Sequence, residues 1–356
     1  MNNLKRISNI GVAVVTAAIV LASSSFCNVQ AAKATISSCA GGSTNSFMVD
    51  SKKQLWVRGG NSDGQLGIGN QIDQPKFVKG IKNVISVSSG GKHTLFLKKD
   101  KTLWASGLNN VGQLGINSKV SKTKPVKVMS KVISYSADYS YNAAVKKDGT
   151  LWAWGHNPGN QIPGKGITVL KPVKIAKNCK TVITGRYGIY AIKKDKSFWD
   201  ISKNKKIATK VIKAAGGREH FAFIKKNGDL YTFGLNNFGQ LGNNPKKELK
   251  AKTKPVRIAK KVSDISLGNT FTVFVKKDGT AWGAGRNELY QFGAGKNKNY
   301  KKPVKIMSKV KRVFAGDEHM MLIKKNKTVW GVGSNSNRQI KDSSADTVKS
   351  FVQLKV

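Results

Sequence analysis

Leu103–Gly115 reads LWASGLNNVGQLG, and the chain says it again and again. Leu55–Gly67 is LWVRGGNSDGQLG and Leu230–Gly242 is LYTFGLNNFGQLG. Looser copies stand at Leu151–Pro163 (LWAWGHNPGNQIP), Ala281–Gly293 (AWGAGRNELYQFG) and Val329–Lys341 (VWGVGSNSNRQIK). A repeat at near-constant spacing sets the architecture before any other reading. Its aromatic second position serves as a ruler. Trp56, Trp104 and Trp152 lie 48 residues apart, Trp199 follows after 47, Tyr231 after 32, Trp282 after 51 and Trp330 after 48. Seven units result. The short interval has a visible cause: after Trp199 the chain runs Asp200-Ile201-Ser202-Lys203-Asn204 with no Gly-Gln-Leu-Gly loop, so unit four is degenerate.

Each unit contains four short β-branched or aromatic runs bounded by turn residues. In unit two these are Val84–Ser88, Thr94–Lys98, Thr102–Ser106 and Pro125–Met129. Asp148-Gly149, Asn227-Gly228 and Asp278-Gly279 mark tight hairpins between the second and third runs. Asp100-Lys101, Asp195-Lys196 and Asn326-Lys327 replace that glycine. Four-stranded units repeated around a ring are propeller blades. The expected fold is all-β, a seven-bladed β-propeller of four-stranded blades with blade four degenerate. The ruler aromatics Trp56, Trp104, Trp152, Trp199, Tyr231, Trp282 and Trp330 are expected to pack between blades. Asn109 and Gln113 are expected to satisfy loop backbone groups, and Leu114 to pin the loop down.

The G-x-N-x-x-G-Q-L-G loop, the preceding G-G-x-H and the spacing resemble the repeats of the regulator of chromosome condensation family, from about Ala34 to Val356. The resemblance implies a seven-bladed propeller that works as a binding surface. That family includes chromatin-bound exchange factors and secreted bacterial propellers, some of which look like protein inhibitors of β-lactamases. Three departures stand out. Blade four lacks its loop, and the glycine loops of blades three, six and seven are eroded. The chain also starts near a first strand and ends near a fourth (Ser350–Lys355), leaving ring closure to blade packing or to another pairing.

The first residues read as an export signal. Lys5 and Arg6 precede an apolar run, Ile10–Ala22, and Val29-Gln30-Ala31 offers a cleavage site. Residues 1–31 are therefore expected to be removed, leaving 32–356 as one propeller that is secreted or held at the cell surface. Cys39 and Cys179 fall in units one and four, too far apart on a ring to pair.

Chemistry has few footholds. His93, His220 and His319 share one position, eleven residues before the ruler, alongside Asn45, Tyr141, Gly188 and Phe271 in the other units. A position shared by separate blades spreads these histidines around a ring, so they are expected to be structural, each bridging the turn between strands one and two. Glu219 and Glu318 precede two of them, with no matching nucleophile. No catalytic residue, metal, cofactor or small-molecule substrate is expected.

Charge is the feature with functional force. The chain carries 63 Lys and Arg against 18 Asp and Glu, a net charge of +45. Lysine pairs precede the hairpins: Lys98-Lys99, Lys146-Lys147, Lys193-Lys194, Lys225-Lys226, Lys276-Lys277 and Lys324-Lys325, with Lys52-Lys53 as the first-unit counterpart. In an up-and-down blade those hairpins share a face with the links to the next blade, which are basic too (Lys131, Lys177, Lys180, Lys260, Lys261, Lys309, Lys311, Arg312). The fourth strands add Lys124, Lys127, Lys171, Lys174, Lys254, Arg257, Lys302 and Lys305. The expectation is a monomeric, non-enzymatic binding propeller whose lysine face meets an anionic polymer or surface: a cell-wall polyanion, an acidic polysaccharide or nucleic acid. Lysine dominates over arginine, which suits diffuse attraction better than base reading. The alternative is a propeller that inhibits or modulates an acidic protein through loop anchors such as Tyr187, Phe238 or Tyr290.

Overall fold

In the computed structural model, which describes residues 34–244, 249–293 and 297–356, every repeat forms its own antiparallel sheet of four strands. The expected leader lies outside the described residues. Among those residues there is no helix. Blade two shows the pattern, with strands at Val84–Ser89, His93–Lys98, Leu103–Gly107 and Lys122–Met129. First strands line a central channel of about 290 Å3, and fourth strands form the rim. Second strands are buried on both sides, which is why they read as nearly continuous apolar runs such as HTLFLK, FTVFVK and HMMLIK. Fourth strands expose every third residue, Lys124 and Lys127 among them, where their pairing slips past the third strand.

The core lies in the seams between blades. Phe47, Leu55 and Leu66 of blade one meet Val84 and Phe96 of blade two, with Trp104 half-buried against them. Equivalent seams hold Trp56, Trp152, Tyr231, Trp282 and Trp330. Serines of the first strands stitch the channel wall. The hydroxyls of Ser88, Ser134, Ser136 and Ser266 accept bonds of 3.0–3.1 Å from the amides of Ala137, Val182, Thr184 and Ala315 in the next blade. These serines looked unremarkable in the sequence.

The ring closes without exchanging a strand. Blade one (Ile36–Gly41, Asn45–Asp50, Gln54–Gly59, Gln74–Lys82) and blade seven (Val310–Ala315, His319–Lys324, Val329–Ser334, Thr347–Leu354) each keep their own four strands. Arg58 joins them, its guanidinium donating to the carbonyls of Arg338 (2.5 Å) and Ile340 (2.8 Å). Ser43 of blade one also donates to Asp317 of blade seven, at 2.5 Å. Of the closures left open by the sequence, blade packing is the one found.

The eroded loops are intact in form. Asn61, Asn109, Asn157, Asn236, Asn287 and Asn335 are buried, and the carboxamide oxygen of each accepts from the amide five residues on. Gly64, Gly112 and Gly239 have φ of 75–82°; at that place in blades three, six and seven Asn160, Tyr290 and Arg338 adopt 54–58°. The Asn and Gln bonds hold the loop, so losing the glycine costs strain and leaves the shape. Blade four (Cys179–Gly185, Gly188–Lys193, Phe198–Asp200, Lys205–Ala208) has only a tight turn there. Its Ser202 hydroxyl accepts from the Ile189 amide and donates to the Gln161 carbonyl of blade three. Cys39 and Cys179 are free, buried thiols in separate blades.

Candidate functional site

The hairpins and inter-blade links interlock on one end of the ring. The amides of Val132, Val211 and Val310, each opening a blade, donate to the carbonyls of Lys101, Lys196 and Gly279 in the preceding hairpin. The turn position that needs positive φ is filled by Gly149, Gly228 and Gly279, and by Lys53, Lys101, Lys196 and Lys327 at 65–69°. Lysine thus stands even where backbone geometry favours glycine.

The two lysines of each pair differ. Lys98, Lys146, Lys193, Lys225, Lys276 and Lys324 are half-buried, their ammonium groups 3.8–5.4 Å from the ruler ring of their own blade. Each attraction of this kind contributes about 0.5–1 kcal/mol at an exposed site. Lys99, Lys147, Lys194, Lys226, Lys277 and Lys325 are exposed. Among the described residues, none of the twelve is in an ion pair. The nearby carboxylates are occupied. Asp100 accepts from the Thr102 hydroxyl (2.6 Å), which in turn accepts from Trp104 Nε1 at 2.7 Å. Asp148, Asp195 and Asp278 repeat this relay to Trp152, Trp199 and Trp282. The Thr102 hydroxyl and amide hold the Asp100 carboxyl below its usual range.

Blade one departs from the expected counterpart. Asp50 occupies the register place of Lys98, paired against the blade's own Ile36 and followed by Ser51, and Lys52-Lys53 sit two places later, in the turn itself. Asp50 accepts from Trp56 Nε1 at 3.2 Å directly. The ring of stacked lysines therefore has six members.

The opposite end carries the loops and the turns between strands one and two. His93, His220 and His319 reach across a seam rather than bridging their own turn. Nε2 of each meets Asn142 (2.7 Å), Thr272 (3.0 Å) and Ser46 (3.0 Å) in the following blade. Thr272 donates to the Gln240 carbonyl, so it accepts from His220, which fixes the neutral Nε2–H tautomer. Asn142 likewise donates to the Gln113 carbonyl. The bare Nδ1 of each ring faces Gly90, Gly217 or Gly316, whose place a Cβ would fill within 2.8 Å of it. Burial pushes the three histidines down to about 4, about 3 and about 4. Such groups hold a seam and are poor proton shuttles near neutrality. Glu219 and Glu318 pair with Arg186 (2.8 Å) and Arg286 (3.4 Å). Among the described residues no three His, Cys, Asp or Glu converge as metal ligands.

Two profiles of the Regulator of chromosome condensation (RCC1) repeat match this chain, one over residues 54–97, 227–275 and 278–323, the other over 84–113, 211–240 and 310–339. The chain belongs to the RCC1-repeat family. Its fold is similar to that of Prp20p from Saccharomyces cerevisiae, described for its binding to Gsp1p and histones: 21% identity over 86% of this chain and 87% of that one, with a TM-score of 0.74. Yeast Prp20 bound to Kap60 matches at 20% identity over 91% and 84% of the chains, TM-score 0.73, and human WBSCR16 at 18% over 90% and 82%, TM-score 0.55.

Within this RCC1-repeat ring, the two ends offer different chemistry. The hairpin end presents repeated ammonium groups that, among the described residues, have no carboxylate partner. Among the described residues, the loop end gathers Glu219, Glu288 and Glu318 and most of the exposed large apolar residues: Ile72, Val120, Tyr139, Ile167 and Tyr187. Of the alternative anchors, Tyr187 is the exposed one; Phe238 and Tyr290 are half-buried beside Arg286 and Lys349.

Proposed function

We propose that this RCC1-repeat propeller is an exported, non-catalytic binding protein that holds an anionic polymer or surface against its hairpin end. The observation that carries the reading is the ring of six exposed lysines, Lys99, Lys147, Lys194, Lys226, Lys277 and Lys325, with the neighbouring carboxylates engaged in their own hairpins. Like charges at this density repel in the free protein, and a polyanion relieves that repulsion while releasing counterions. Basic links and the basic rim extend the same field. The ligand class is a repeating phosphate or carboxylate polymer: teichoic acid, acidic polysaccharide or nucleic acid.

The test is retention of the mature chain on immobilised teichoic acid, polyuronate and double-stranded DNA at graded salt. With six to ten contacts, affinity is expected to fall about 10³–10⁵-fold between roughly 50 and 200 mM salt. Retention that ignores salt on all three supports would overturn the reading.

A further inference from the structure

At the loop end, blades two, three, four and five surround a concave pocket of about 660 Å3. Its walls include Val111 and Pro158 from two loops, Tyr139 and Tyr187 from two turns, and the cations Lys92 and Arg218. Tyr139 is 63% and Tyr187 54% exposed, an unusual amount of aromatic surface left in water. Ile72, Val120 and Ile167, 61–68% exposed, form an apolar arc at matching places in the first three loops, just ahead of the fourth strands. In blade four the arc stops, because that blade has no loop and only its turn, Arg186-Tyr187, reaches the pocket.

Tyr187 is held in place before any partner arrives. Its hydroxyl donates to Glu219 at 2.9 Å, the Arg186 guanidinium bonds the same carboxylate oxygen at 2.8 Å, and that guanidinium lies 5.5 Å from the Tyr187 ring centre. A rigid aromatic anchor loses little freedom on binding. Arg218 is exposed and, among the described residues, in no ion pair; Lys92 is shared with Asp63 at 3.3 Å. The carboxylate facing the pocket, Asp138, is pushed up to about 7 by burial, so it carries only part of a negative charge near neutrality.

We infer that this pocket docks a protein segment in which an apolar side chain is flanked by acidic residues, the apolar group lying against Tyr139 and Tyr187 and a carboxylate reaching Arg218. The site is distinct in place and chemistry from the hairpin lysines. It stands on a few anchors, and so it tolerates salt better than a polymer face does.

The test is selection of a phage-displayed library of random 12-residue peptides on the mature chain at physiological salt. Enriched peptides are expected to share an aromatic or large aliphatic residue next to Asp or Glu. A synthetic copy of the top sequence should bind Tyr187→Ala and Arg218→Glu at least tenfold more weakly, with both variants keeping the parent melting temperature within a few degrees. A Lys99→Glu/Lys147→Glu/Lys277→Glu variant should bind that peptide within about twofold of the parent, because charges a ring's thickness away are screened over a Debye length of about 8 Å. No enrichment, enrichment without the acidic–apolar pattern, or equal binding by Tyr187→Ala and Arg218→Glu would each overturn the inference. Loss of peptide binding in the hairpin variant alone would do so too, and leave the polymer reading standing.

Discussion

The two ends of this ring are built from the same repeat and have diverged in opposite ways. At the hairpin end, blades two to seven keep a lysine over a ruler ring and a second lysine in water, and only Asp50 of blade one breaks the series. At the loop end, one blade has lost its loop, three have replaced a glycine, and the exposed apolar residues gather over blades one to four. Regularity suits a polymer, which presents the same group many times. Irregularity suits a partner with one shape. Backbone need explains neither: the hairpins fold with Gly or Lys, and the loops fold with Gly, Asn, Tyr or Arg at the strained place.

The largest expected effect separates the ends directly. Reversing Lys99, Lys147, Lys194, Lys226, Lys277 and Lys325 to Glu should weaken teichoic-acid or DNA retention at least a hundredfold and flatten its salt slope, read by elution against salt. Tyr187→Ala should leave both unchanged. Equal loss from both variants would merge the two faces into one.

Next in size is the seam beneath the loops. His220→Ala removes the donor to Thr272 and opens space beside Gly217, and it should cost about 2–3 kcal/mol in a urea titration. His220→Gln tests the linkage. The folded value lies near 3, below the unfolded value of about 6.5, so the unfolded chain takes up the proton first. The parent therefore loses stability from this group as pH falls through that window, by up to about 1.4 kcal/mol per pH unit. The Gln variant should lack that share of the slope. Asp138 works the other way. Its folded value, near 7, exceeds its unfolded one, so it adds stability as pH falls from 7 towards 4, and Asp138→Asn should steepen acid unfolding.

Smaller effects probe regularity itself. Arg338→Gly or Tyr290→Gly should relieve the left-handed backbone and stabilise by about 1 kcal/mol in thermal melts. Lys98→Met should cost about 0.5–1 kcal/mol by removing the ammonium above the Trp104 ring, with far less effect on polymer retention than Lys99→Met. Equal effects of the two on retention would mean that stacked and free lysines serve alike.

The architecture was legible because it is written seven times: the ruler aromatics, the hairpin signals and the missing loop of blade four all lie where the chain's own spacing put them. What the spacing could not convey was which neighbour each side chain meets. His93 directly follows its own turn in the chain, yet its partner, Asn142, lies 49 residues on. The lysine pairs read as equivalent because a sequence has no burial; only the relay of Asp100, Thr102 and Trp104 reveals why the first member folds back. The register of blade one was misplaced because Lys52-Lys53 imitates the pair two positions late. The loop-end pocket left no motif at all, since its walls come from four blades.

Closure without an exchanged strand also bears on how such a ring can change its size. Every blade is an unbroken stretch of chain, and 48 residues separate successive rulers in the regular part. A tandem duplication of one such stretch delivers a finished blade with both seam surfaces attached, and a deletion removes one without orphaning a strand. The gene can therefore count blades in whole numbers, with the joint that Arg58 spans as the one between the first and last of them.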